Sequence, residues 1–61
     1  MKYEDYLLRA LTIIKNQIDD NKMNKTLTDD AIVRRRLSDN VRALTMASEL
    51  IRKEIHEVTG E

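Results

Sequence analysis

At 61 residues the chain makes one small domain, of a size that buries only about 60% of its unfolded surface and lies near the limit of independent folding. It has no Cys and no Pro, which excludes disulfides and thiolate metal sites and fits a reducing cytoplasm; 41% hydrophobic residues, mostly aliphatic, and a single Gly make a helical composition. Eleven Lys or Arg balance eleven Asp or Glu, so no net field draws the molecule toward nucleic acid or an anionic membrane. The apolar runs are no longer than Ala31-Ile32-Val33, where a membrane span takes roughly 20 residues and a signal peptide an apolar core of about 7 to 15.

Residues 3 to 22 place Tyr3, Leu7, Leu11, Ile14 and Ile18 at alternating spacings of three and four, one stripe of a helix, with Tyr6, Ala10 and Ile13 widening it on one side. Glu4 and Asp5 in the first turn and Lys22 in the last have the signs that the helix dipole favours. From residue 23 to 27 the apolar period fails, and Asn21 and Asn24 near it suit left-handed or turn conformations, so the chain is expected to reverse there.

A second helix is expected from residue 28 to 59. Thr28 is a good N-cap followed by Asp29 and Asp30, Leu27 and Ile32 have the spacing of a hydrophobic staple, and Gly60 marks the stop. Val33, Leu37, Val41, Leu44, Ser48, Ile51, Ile55 and Val58 form its seam, widened on one side by Ile32, Ala43, Ala47 and Leu50. A rival reading breaks it at residues 37 to 40, with Ser38 capping a third helix. The seam runs in phase across that point, so one unbroken helix is expected.

Folded back on each other, the two seams match in one register: Ile18 to Val33, Ile14 to Leu37, Ala10 to Val41, Leu7 to Leu44 and Tyr3 to Ser48, with Asn40 beside Leu11. The expected fold is an all-α antiparallel helical hairpin, a single domain over residues 1 to 61, whose longer second helix overhangs from about Leu50. Leaving Leu50, Ile51, Ile55 and Val58 in water forgoes about 1.5 to 3 kcal/mol each. A homodimeric four-helix bundle, packed through Tyr6, Ala10, Ile13, Ala43, Ala47 and Leu50 together with the overhang, would cover them.

Site chemistry is sparse. Arg34, Arg35, Arg42, Arg52 and Lys53 form a basic strip that can reach phosphates, although Asp30 and Asp39 at three- or four-residue spacing suit an ordinary solvated face. His56 is the only His and has no second ligand or carboxylate one turn away. Asp19, Asp20, Asp29 and Asp30 flank the expected turn without the spacing of a cation loop. The sequence therefore implies no enzyme, cofactor or metal, but a cytoplasmic regulator, inhibitor or adaptor that binds itself and another protein, with nucleic acid as the alternative partner.

Overall fold

The computed structural model describes residues 2–60, which form two helices packed against each other, α1 (Tyr3–Leu27) and α2 (Ala31–Thr59), with no strand among the described residues. α1 starts on Lys2, whose carbonyl accepts from the amides of Asp5 and Tyr6 and whose own amide donates to Asp5 Oδ2 at 3.2 Å. This last bond satisfies a donor that the helix itself leaves open.

α1 does not stop at Lys22: residues 23 to 27, read as a turn, are helical. Neither Gly nor Pro interrupts the chain before Gly60, and among the described residues only that glycine has positive φ, so Asn21 and Asn24 are not left-handed. Two polar side chains that compete with helix elsewhere are absorbed by α1 itself: Asn21 Nδ2 donates to Gln17 O at 2.6 Å and Thr26 Oγ1 to Met23 O at 2.6 Å. The inward-facing series also continues, through half-buried Asn21, Lys25 and Thr28. The period persists in position while the apolar side chains give out.

The connection is therefore three residues, and the cap moves with it. Thr28 ends α1 in an extended conformation, φ −105 and ψ 141, and its hydroxyl accepts from the amide of Asp30 at 3.3 Å. Asp30, not Thr28, is the N-cap of α2: its Oδ1 accepts from Ile32 N at 2.9 Å and Val33 N at 3.3 Å. With the cap displaced, Leu27 and Ile32 form no staple and are 76% and 71% exposed. α2 runs unbroken through residues 37 to 40 and ends as expected at Gly60, left-handed at φ 75, whose amide donates to His56 O at 2.9 Å.

Lengthening α1 shifts the register. The Tyr3 hydroxyl donates to Glu54 Oε1 at 3.1 Å, six residues beyond the expected Ser48, and Asn40 Nδ2 donates to Asn21 Oδ1 at 3.3 Å in place of lying beside Leu11. α2 has 29 residues against 25 for α1, so at 1.5 Å per residue the overhang is about one turn rather than two or more. Ile51 and Ile55 accordingly lie half-buried within the hairpin instead of beyond it.

The hairpin measures 44 × 18 × 13 Å, with a radius of gyration of 14.1 Å. A compact chain of this length has about 10.5 Å. No hydrophobic side chain among the described residues is buried; the only buried residue is Ser48, 5% exposed, whose Oγ donates to Thr45 O at 2.7 Å. Two helices alone can only half-cover each other's seams.

Candidate interaction face

A right-handed helix turns about 100° per residue, so the residue before each seam position lies to one side of it and the residue after lies to the other. The half-buried seam of α1 is Leu7, Leu11, Ile14 and Ile18, and that of α2 is Leu37, Val41, Leu44, Ile51 and Ile55 with buried Ser48 among them. Because α2 runs opposite to α1 with its seam turned toward it, the residues that precede the seam on both helices emerge on one side of the hairpin. Those that follow it emerge on the other. The two sides differ in chemistry.

The preceding positions are Tyr6, Ala10 and Ile13 on α1 and Ala43, Ala47 and Leu50 on α2, one face built from both helices. Tyr6 is 57% exposed, Ile13 50% and Leu50 67%; Ala43 is exposed, and Ala10 and Ala47 are half-buried at the margin of the seam. Ile51 and Ile55 belong to the seam, which removes them from this face, and Val58 continues the seam line into the short overhang, still exposed. Apolar surface is also exposed elsewhere: Leu8 follows the seam on the opposite side, and Leu27 and Ile32 flank the connection.

The following positions line the opposite side. Lys15, Asp19 and Lys22 of α1 and Thr45, Glu49 and Arg52 of α2 surround a hollow of about 250 Å³, floored by Ile18 and Ser48. Of the expected basic strip, Arg52 reaches this hollow, Arg34 and Arg42 follow seam residues on the same side, and Arg35 and Lys53 point to the outer back of α2; all five are exposed. The basic strip expected from α2 alone leaves out Lys15, and Lys22, expected to serve the end of α1, instead lines this hollow. Their seven-residue spacing, two turns of one face, was the available signal.

The pKa of Tyr3 is raised above its ordinary value first by the hydrogen bond to Glu54, then by loss of solvent and the Glu54 charge. Asp19 and Asp20 sit within α1 rather than at its end, and among the described residues no three of His, Cys, Asp or Glu gather as metal ligands. His56 is exposed in the last turn of α2. Among the described residues no helix is long and apolar enough to cross a membrane. Comparison with protein-family models, curated proteins and solved structures finds no match.

Proposed function

We propose that this chain is a non-enzymatic interaction protein of the cytoplasm, working as a homodimer in which two hairpins form a four-helix bundle. It acts as a regulator, inhibitor or adaptor by offering apolar helix faces to another protein. The observation that carries this reading is a hairpin with no buried hydrophobic side chain among the described residues and an open face of Tyr6, Ile13 and Leu50. Its accessible surface is 5052 Å² for a mass of 7.2 kDa, where a compact monomer of that mass exposes about 4,100 Å². A surface of that extent is the mark of an unfinished core. Light scattering at micromolar concentration tests it: twice the chain mass of 7.2 kDa is expected, and a well-folded monomer contradicts it.

A second reading, nucleic-acid binding, draws support from the cations that both helices bring to the polar side, where Lys15, Lys22 and Arg52 line the hollow. Asp19 and Glu49 at the same rim oppose it. It requires affinity for structured RNA or duplex DNA that falls steeply with salt and is abolished by Lys22→Glu with Arg52→Glu. Absence of binding at low salt ends it.

A further inference from the structure

The open face changes character along the hairpin, and the change bears on how a second copy sits on it. Far from the connection it is mostly apolar, with Tyr6 and Ile13 opposite Leu50 and Ala43, and Glu54, a charged group at that end, accepts the hydrogen bond from Tyr3. Toward the connection the equivalent positions hold Asp20 and Asn24 on α1 and Arg36 and Asn40 on α2. At the connection Leu27 and Ile32, both strongly exposed, restore apolar surface on the same side.

We propose that a second copy covers this face with its connection at the same end, the two-fold axis running along the hairpin, so that α1 of each copy lies antiparallel to α2 of the other. This rests on the dimeric reading above and adds the arrangement to it. The area points to a second copy as occupant. The hairpin exposes 5052 Å², about 900 Å² more than a compact chain of its mass, and a stable interface takes about 800 Å² from each partner.

Self-complementarity then selects the arrangement. At equal heights along the axis Tyr6 meets Leu50 of the second copy, Ile13 meets its Ala43, and Ala10 meets its Ala47. Nearer the connection Asp20 meets the guanidinium of Arg36 of the second copy, opposite charges at the polar level, and Leu27 meets its Ile32. With the connections at opposite ends, each helix faces its own equivalent reversed. Unslid, Asp20 and Asn24 then press on Ala10 and Tyr6, and Asn40 on Leu50, desolvating polar groups with nothing to pair them, while only Arg36, opposite Glu54, gains a partner. Sliding the copies so that only the apolar halves overlap avoids that conflict but leaves Leu27 and Ile32 uncovered and halves the contact.

A spin label on Asp29→Cys distinguishes these arrangements. The native chain has no cysteine, and Asp29 is exposed in the connection while capping falls to Asp30. Dipolar spectroscopy on the labelled dimer is expected to give a short separation, set by interaxial spacings of about 8 to 10 Å plus the label arms. A separation near or beyond the 44 Å length of the hairpin places the connections at opposite ends and overturns the arrangement while leaving the dimer standing. A folded monomer by sedimentation, with no dipolar coupling, overturns both. Charge exchange is a second readout: Asp20→Arg is expected to weaken association about tenfold and Asp20→Arg with Arg36→Asp to restore it. Additive losses in the double variant contradict the pairing.

Discussion

Tyr3 and Glu54, 51 residues apart, are joined by a 3.1 Å hydrogen bond from the phenol to the carboxylate, and this bond locates the start of α1 against α2. At the other end Asn21 and Asn40 meet at 3.3 Å. Between these two polar ties the helices share a seam of aliphatic side chains that neither covers fully. Register and incompleteness are therefore set by the same geometry.

The Tyr3 bond makes stability depend on alkaline pH. A tyrosine pKa is about 10 when unperturbed, and folding raises that of Tyr3, chiefly through the bond to Glu54. A pKa raised on folding contributes stability that is present below the unfolded value and lost as pH rises through the folded one. Tyr3→Phe, which has no phenolic proton, is expected to lose less stability between about pH 9 and 11 than the native chain. Thermal melts of both across that range check it, and parallel declines would count against the bond.

Capping of α2 by Asp30 separates two neighbouring substitutions. Asp30→Ala removes the acceptor for the amides of Ile32 and Val33, and is expected to cost about 0.5 to 2 kcal/mol. Thr28→Ala removes one long bond to the amide of Asp30 and is expected to cost less than about 1 kcal/mol. Urea denaturation of the two variants at equal chain concentration decides the order; a larger loss for Thr28→Ala would return the cap to Thr28.

Leu50 and Ile51 are adjacent in sequence and on different surfaces. Ile51→Asp puts a charge into the seam of the hairpin, so helix content itself is expected to collapse at every concentration. Leu50→Asp alters only the open face. Removing a Leu that a two-fold interface uses twice is expected to weaken association at least about 100-fold, taking about 1.5 kcal/mol per copy. Circular dichroism and sedimentation on both variants test this, and unchanged association of Leu50→Asp excludes the face.

The sequence made α2 legible nearly whole, because its seam is written in Leu, Ile and Val on both sides of Ser48, stays in phase across it, and closes on the only glycine. The apolar half of α1 was equally plain. What escaped was its second half, where Asn21, Lys25 and Thr28 occupy seam positions: hydrophobicity stops reporting the period there, although the helix continues. The register error followed from that misplaced end, and so did the reading of Ile51 and Ile55 as overhang. Tyr6, Ala10, Ile13, Ala43, Ala47 and Leu50 still share one side of the hairpin after the slip, because that placement depends on angle around each helix and not on height along it. Lys15 and Lys22 at the polar hollow were visible only once the two sides of the hairpin were distinguished.

Concentration dependence of unfolding tests the central claim, that folding is completed by association, most directly. A dimer without a stable folded monomer melts by mass action, each tenfold rise in chain concentration adding about 1.4 kcal/mol to the stability of the assembled state. The melting temperature followed by circular dichroism is expected to rise steadily over a hundredfold range of concentration. A sharp transition at one temperature throughout that range would show that the hairpin is stable alone, and would contradict the account.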